Sequence, residues 1–371
     1  MEHRHLYPNR IKLLKRAIVK TLFKQAILIT GLLLSTSCHS PTGPTTIIKL
    51  NPYLKEINFS NPKQYGNIYM AVWRKNTIFA IQQLSKFVID DNDNVIQDTV
   101  LLDIGIYEKF WTYIDANIDG SKLLLVATAH DGVSAGSLYE YDVLSGQLQL
   151  LFDQTRNVAS ARYYPKDNTK VVYYSFGDNM NIGAGYYLYD KSLGQDRLLF
   201  PYLSSAGWWE TLHGFDVDPN GDKLLIPISQ AIGQFDHSKP PKLGIVSLLQ
   251  QKLDTLSIDF NFSFDRTGLW VRYNHDGSKI LYCCFPDNAY GFVANDNSEV
   301  GIIDASTLTK NTLNVNTNDE SKYGSVQLAP NWSPDETEIV FGSGQVISSG
   351  QAGMRMSQTP LIKDKKGTVM T

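Results

Sequence analysis

The chain has 371 residues, of which 43% are apolar and 19% charged, so its composition is that of an ordinary globular protein with a large core. After residue 37 it carries 27 basic and 36 acidic residues, which gives this part a net charge of −9. A chain this acidic repels phosphate backbones, and no basic run follows residue 37, so the sequence argues against nucleic acid as a partner.

The first 37 residues have the pattern of an export signal. A basic stretch precedes a short apolar run, Ala26 to Leu34, which is too short to span a bilayer. Small residues then lead to Cys38, and this resembles a bacterial lipobox, in which the cysteine is lipidated and becomes the mature N-terminus. The match is imperfect, because Ser35 stands where the lipobox prefers leucine. On this resemblance we expect a lipid anchor on Cys38. The alternatives are a plain secretory signal and an uncleaved anchor.

The stretch 38–45 has the composition of a tether between an anchor and a folded body. It contains two prolines, a glycine and polar residues. The folded part is accordingly expected at 46–371, in the bacterial cell envelope, held at a membrane through the anchor or, without it, secreted to the periplasm.

From residue 67 onward the chain repeats one unit of strand, tight polar turn and strand. The equivalent turn positions are predicted at Asn76, Gly120, Asn168, Gly221, Gly277 and Glu336. Asp-Gly and Asn-Gly tips supply the positive φ of such turns, and apolar residues at a spacing of two precede them. A four-stranded sheet cannot bury both its faces alone, whereas sheets packed radially bury one another's faces.

These repeats predict an all-β fold, a six-bladed β-propeller of four-stranded antiparallel blades. Five regular blades plus an irregular one is the alternative, because the first and last copies are the least regular. The segment 45–50 could add a strand that helps to close the ring, and 360–371 is expected to form the second half of the last blade.

The sixth copy carries a resemblance to a known family. Trp332-Ser333-Pro334-Asp335, followed by EIVFGSG, resembles the repeat of TolB-type, WD40-like propellers, and Glu336 stands where that repeat has glycine. The resemblance covers about residues 65–345 and implies the propeller fold. It implies no activity, and because TolB is a soluble periplasmic protein without a lipid anchor, its interaction role is not carried over.

Aromatic and polar residues near the predicted fourth blade form a candidate binding site at the channel mouth. The candidates are Trp208, Trp209, Glu210, His213, Asp216 and Arg272. The two tryptophans could stack on a sugar or an apolar ligand, or they could plug the channel or pack between blades. Asp216 and Arg272, like Asp115 and Asn331, lie five residues before a predicted turn. They are expected on inner strands, although an offset of one residue would turn them to the other face.

Other motifs are better explained as structure. The hydrolase pattern from Gly132 to Gly136 lies between two predicted strands, whereas that motif requires a strand, a turn and a helix. The acidic run from Asp90 to Asp98 could hold Ca²⁺, but such residues also favour hairpin turns. A metal-dependent lyase would need several channel histidines, and only His213 is suitably placed, so we predict no metal, cofactor or catalytic residue.

The expected function is a binding or scaffolding platform for an envelope protein or a glycan. The alternatives are a propeller enzyme that acts on polysaccharide or peptide in the channel, with Glu210, His213 and Asp216 in one pocket, and a carbohydrate-binding module that uses Trp208 and Trp209. Fold alone does not decide between them.

Overall fold

A computed structural model describes residues 55–56, 70–81, 84–91, 95–102, 109–129, 136–177, 183–201, 209–210, 214–229, 242–258, 268–285, 299–313, 325–348 and 351–360. All of them belong to one compact unit, Lys49–Thr371. The predicted export signal, Cys38 and the tether lie outside the described residues. Among the described residues, no helix has the length and apolar character that a membrane crossing requires.

The described residues are almost entirely β-strand. In chain order the strands are β1 (Lys55–Glu56), β2 (Met70–Arg74), β3 (Thr77–Ile81), β4 (Leu84–Ile89), β5 (Val95–Leu102), β6 (Lys109–Ala116), β7 (Lys122–Ala129), β8 (Ser137–Asp142), β9 (Leu148–Phe152), β10 (Val158–Tyr164), β11 (Asp167–Ser175), β12 (Gly185–Asp190), β13 (Gln195–Pro201), β14 (Trp209–Glu210), β15 (Asp216–Val217), β16 (Lys223–Ser229), β17 (Lys242–Ser247), β18 (Lys252–Thr255), β19 (Gly268–Tyr273), β20 (Lys279–Phe285), β21 (Glu299–Asp304), β22 (Lys310–Leu313), β23 (Ser325–Trp332), β24 (Glu338–Ser348) and β25 (Gln351–Pro360). A single 3₁₀ turn, Gln154–Arg156, is described between β9 and β10.

The strands form antiparallel sheets that correspond to the six repeats. Blades one, two, three and five are β2–β5, β6–β9, β10–β13 and β19–β22, each with neighbouring strands consecutive in the chain. Blade four is β14–β18, and blade six combines β23, β24 and β25 with β1. The prediction of four-stranded antiparallel blades in a propeller arrangement is therefore confirmed.

Five of these sheets are regular four-stranded blades and one is irregular, but the irregular sheet is the fourth, whereas the sequence suggested the first or last. Its inner strand is split, since β14 and β15 both pair with β16. The backbone before β15 passes close to blade five: Gly214 has φ +57°, and a Cβ atom there would lie 2.5 Å from the Trp270 ring. Only glycine fits this contact without strain.

Blade six joins the two ends of the folded unit. Lys55 and Glu56 pair with Gln358 and Ser357 on the outer side of β25. The closing strand from the N-terminal side is thus at 55–56, while 45–50 lies outside the described residues. The third strand of this blade is Gln351–Pro360, so the expectation of its second half at 360–371 is corrected.

The inner turn of each blade joins its first and second strands. Four of the six inner turns share one hydrogen-bond pattern. In blade two, Asn117 Oδ1 accepts the backbone N–H of Lys122, and Gly120, at φ +73°, donates to the Asn117 carbonyl. Asp218, Asn274 and Ser333 play the part of Asn117 in blades four, five and six. The Ser333-Pro334-Asp335 run is accordingly turn architecture, as the comparison of the repeats predicts.

The turn of blade three is different from its prediction. The sequence places it at Asp167-Asn168, but β10 ends at Tyr164 and β11 begins at Asp167, so the connecting residues are Pro165 and Lys166. A register shift at Tyr163/Tyr164 accompanies this shorter connection. The shift changes which residue of β10 corresponds to the inner-strand polar positions of the other blades.

Neighbouring blades pack through buried apolar side chains, as radial sheets require. Trp73 and Ile78 of blade one pack with Val340 of blade six, and Leu225 of blade four packs with Val271 of blade five. Each fully buried aliphatic side chain contributes ~1.5–3 kcal/mol to stability. A polar link crosses the boundary between blades five and six, where Trp332 Nε1 donates to the Arg272 carbonyl at 3.4 Å.

Candidate functional site

On five of the six inner strands, a polar or charged side chain occupies the same position relative to the paired second strand of the blade. The pairs of inner-strand residue and second-strand partner are Asp115 with Leu124, Arg162 with Val172, Asp216 with Leu225, Arg272 with Leu281, and Asn331 with Val340. All five inner-strand residues are buried. The propeller brings them together around its axis, although Asp115 and Arg272 are 157 positions apart in the chain.

Asp115 is the centre of this cluster. Its Oδ1 accepts from Arg272 Nη1 and Nη2, both at 3.2 Å, and from Arg162 Nη1 at 3.4 Å. Arg74 Nη2 lies 3.9 Å from the same oxygen. Asp115 Oδ2 accepts the backbone N–H of Tyr163 at 3.0 Å. Three guanidinium groups therefore share one carboxylate oxygen, at distances longer than the ~2.8 Å of a good charge-assisted bond.

Asp216 repeats this arrangement in blade four. Its Oδ2 accepts the backbone N–H of Tyr273 in the next blade at 2.7 Å, and its Oδ1 lies 3.5 Å from Arg162 Nε and 3.7 Å from Arg272 Nη1. Each aspartate thus uses one oxygen to fasten its blade to the next blade and presents the other to the arginines.

The arginines are fixed from several sides. Arg162 Nε donates to the Phe215 carbonyl at 3.0 Å, and its guanidinium lies over the rings of Tyr113 and Trp270, 4.8 and 5.4 Å from their centroids. Cation–π contacts of this kind stabilise a desolvated guanidinium. Arg74 reaches in from blade one and donates from Nε and Nη2 to backbone carbonyls of blade two, those of Asn117 and Ala116.

The two aspartates differ in their ionisation. Burial raises the pKa of Asp115, but Arg272, Arg162, Arg74 and the Tyr163 N–H together outweigh it and hold that pKa below its ordinary value. Burial also raises the pKa of Asp216, and there Arg162 and Arg272 offset it only partly, so the pKa stays above its ordinary value. The difference follows from the number of arginines at each carboxylate.

The cluster forms the floor of a cavity of about 460 Å³, which we call the turn-side cavity. Its floor consists of Arg74, Asp115, Arg162, Asp216 and Arg272, and the inner turns of all six blades supply its walls and rim. The walls are largely aromatic and proline, comprising Trp73, Tyr164, Pro165, Pro219, Tyr273, Trp332 and Pro334. Lys75, Ile118 and Glu336 stand at the rim. Asn168, Asn274, His275, Asn331 and Ser333 add polar groups to the lining. Apolar surface combined with a few placed polar groups is typical of a ligand pocket.

The six candidate residues from the sequence do not all meet here. Asp216 and Arg272 lie on the floor of the turn-side cavity. Trp209 and Glu210 form β14, which pairs with Ser229 and Ile228 at the far end of β16 from Asp216. Trp208 and His213 lie outside the described residues, so their place in a binding site stays a prediction.

Neither Arg162 nor Arg74 follows from the repeat pattern. Counting five residues back from the predicted turn of blade three gives Tyr163, but the shorter connection moves the equivalent position to Arg162. The available signal was Pro165, since a proline after a strand favours the first central position of a tight turn. Arg74 comes from a different position of its strand, next to the turn, and nothing in the spacing singles it out.

The part of the chain that the structure describes contains no group of three or more histidine, cysteine, aspartate or glutamate side chains arranged to hold a metal ion. Cys283, in β20, is a buried thiol. The Asp90–Asp98 run spans the hairpin between β4 and β5, and the stretch after Ala129 connects the paired strands β7 and β8. Among the described residues, the turn-side cavity is therefore the candidate functional site.

No protein-family model and no curated protein matches the chain. Solved structures do match it in shape. TolB from Agrobacterium tumefaciens is 12% identical, with 80% of this chain and 91% of that chain covered and a TM-score of 0.48. Oligogalacturonate lyase from Vibrio parahaemolyticus is 13% identical over 79% and 76%, with a TM-score of 0.45. The Cps50 (Swd1) propeller domain from Myceliophteria thermophila is 12% identical over 82% and 99%, with a TM-score of 0.47. By its own sheet topology the chain is a β-propeller, and TolB is among the structures to which it is similar.

Proposed function

We propose that this chain is a bacterial envelope lipoprotein whose propeller binds a ligand or a partner in the turn-side cavity. The observation that carries the binding role is the charged floor beneath apolar walls, in a cavity of about 460 Å³. This volume lies within the range of roughly 300–1,000 Å³ that is typical of ligand sites.

Stability alone is a weak reason for such a floor. Taking charges out of water costs several kcal/mol for each ion, and well-packed apolar residues of similar volume often stabilise a fold as well or better. Asp115, Arg162 and Arg272 are nevertheless buried together where six blades meet. Their arrangement supports a binding role, because it places preorganised charge at the bottom of an accessible cavity.

A thermal-shift screen of the full chain against short peptides, glycans and small organic acids tests the binding role. The variant Ile118→Trp narrows the cavity at a rim residue that is 63% exposed, so the fold should tolerate it. Leu144→Trp is the matched control, since Leu144 is 96% exposed in the same blade and away from the cavity. We expect compounds that raise Tm in the wild type and the control but not in Ile118→Trp. Shifts that Ile118→Trp leaves unchanged, or no shift at all, would refute binding in this cavity.

The anchor is tested independently of the cavity. Lipidation of Cys38 would hold the protein at a membrane, since each buried CH₂ contributes ~0.8 kcal/mol. We expect fatty-acid labelling of the protein in bacterial cells to be lost in Cys38→Ser. Cys283→Ser is the control and should retain the label, because Cys283 is buried in blade five. An unmodified N-terminus generated elsewhere by cleavage would overturn the lipid anchor.

A further inference from the structure

The floor of the turn-side cavity has more hydrogen-bond donors than acceptors. Arg162 and Arg272 have only 1% and 8% of their side chains exposed, yet Arg162 Nη2 and Arg272 Nε have no hydrogen-bond partner among the described residues. Asp115 Oδ1 is already shared by several guanidinium nitrogens, and Asp115 Oδ2 is engaged by a backbone N–H. Buried donors normally find partners, so the floor lacks an acceptor.

The floor also has an unbalanced charge. Its three arginines face two aspartates, and at the rim Lys75 and Glu336 offset each other. One positive charge is left over, in a chain that carries −9 after residue 37. An excess of one positive charge over the two carboxylates is costly in a largely buried site, and a single negative charge would balance it. A monoanion suits this excess better than a dianion.

The walls indicate what the rest of the ligand is like. Trp73 and Trp332 present mostly buried rings, and three prolines complete the wall. These side chains offer apolar contact, while Arg162 Nη2 and Arg272 Nε, the two nitrogens without a partner among the described residues, suit the two oxygens of a carboxylate.

We infer that the turn-side cavity binds a carboxylate attached to an apolar or aromatic body, with the carboxylate against Arg162 and Arg272. The inference rests on the proposed binding function of this cavity and specifies the chemical class of its ligand. The carboxylate is that of a small organic acid or of a peptide C-terminus, since both present the same group.

Calorimetric titration of the full chain tests this inference with paired probes. The pairs are 3-phenylpropanoate with its primary amide, and a short peptide ending in phenylalanine with the same peptide amidated at its C-terminus. Inorganic phosphate is the additional anion. Each free acid that binds should bind at least about tenfold more tightly than its amide, because the amide loses a charge-assisted interaction. This comparison of acid and amide uses the wild-type protein alone, so it does not depend on whether a variant folds.

Three substitutions and one control substitution locate the effect. Arg74→Gln removes a cation from the floor and should weaken binding of the acid, whereas Asp216→Asn removes a competing anion and should tighten it several-fold. Ile118→Trp should abolish binding, and Leu144→Trp should leave it unchanged. A merely structural role of Asp216 does not predict tighter binding.

The outcomes distinguish a small acid from a peptide C-terminus, and they distinguish failure of the carboxylate inference from failure of the proposed binding function. Binding of the peptide acid but not of 3-phenylpropanoate identifies a chain terminus, and the reverse identifies a small acid; both support the inference. Equal binding of acid and amide, phosphate binding as tight as the acid, or no binding of any acid overturns it. If a neutral compound then meets the Ile118→Trp criterion, the proposed function stands without the inference, whereas failure of the whole library removes both.

Discussion

Asp115 and Asp216 occupy equivalent ladder positions, but the surrounding charges act on them in opposite directions. The folded-state pKa of Asp115 is below its value in the unfolded chain, about 3.9. Ionised Asp115 therefore stabilises the fold above that pH, and the contribution is lost as the pH falls through the folded-state pKa. The pKa of Asp216 is raised in the fold, so its ionisation costs stability as the pH rises.

Substitution of each aspartate by asparagine should therefore give opposite pH dependences. Asp115→Asn leaves the buried arginines without the negative charge that they share and should lower the free energy of unfolding by about 3 kcal/mol near neutral pH. Between about pH 2 and pH 7, the deficit of Asp115→Asn relative to the wild type should grow as the pH rises to about 4 and then stay constant, while the deficit of Asp216→Asn should shrink as the pH rises above about 4. Urea unfolding across this pH range measures both, and parallel changes in the two variants would contradict the assigned environments.

The sequence predicts some residues of the charged cluster below the turn-side cavity and misses others. Asp115, Asp216, Arg272 and Asn331 follow from their distance to the turns, because a regular strand keeps the same side-chain face at the same spacing. Arg162 does not, since one shortened connection shifts its strand. The ion pairs themselves depend on where six blades meet, which no local spacing encodes.

Among the four inner turns that share one hydrogen-bond pattern, the turn of blade six differs in the residue that has positive φ. Glu336 has φ +59° where blades two, four and five have glycine. A non-glycine residue in this left-handed conformation costs roughly 1–2 kcal/mol. Its side chain gains contacts in return, since Glu336 carboxylate oxygens accept the backbone N–H of His275 and Asn274 Nδ2.

Two substitutions at Glu336 separate backbone strain from these contacts. Glu336→Ala keeps the strained conformation and loses the contacts with blade five, whereas Glu336→Gly loses the contacts but relieves the strain. We expect the alanine variant to be less stable than the glycine variant by about 1 kcal/mol, measured by urea unfolding. Equal stability of the two variants would show that the left-handed conformation carries no strain here.

The turns themselves were predictable wherever glycine marks them. Gly120, Gly221 and Gly277 have φ between +70° and +76°, as their Asp-Gly and Asn-Gly tips require. Asp167-Asn168 lacks glycine and was placed wrongly, because aspartate and asparagine favour turns and also strand ends. Local chemistry therefore locates a turn well only where positive φ is needed.

For the whole molecule, the repeat count led to the propeller but could not show how the ring closes. The period and the strand pattern predict blades. The pairing of Lys55 and Glu56 with β25 joins segments about 300 residues apart, and a two-residue strand leaves no periodic signal. The split inner strand of blade four escaped prediction for a similar reason, because it depends on how Gly214 meets Trp270.

The binding site also depends on contacts between segments that are far apart in the chain. The sequence directed attention to Trp208 and Trp209, ahead of β15, whereas the turn-side cavity is assembled from the inner turns of all six blades. The most direct test is a crystal structure of the protein with the compound that gives the largest thermal shift. The predicted result is that compound in the turn-side cavity, within hydrogen-bond distance of Arg162 Nη2 or Arg272 Nε. A compound bound instead beside Trp208 and Trp209, with the turn-side cavity holding only water, would contradict it.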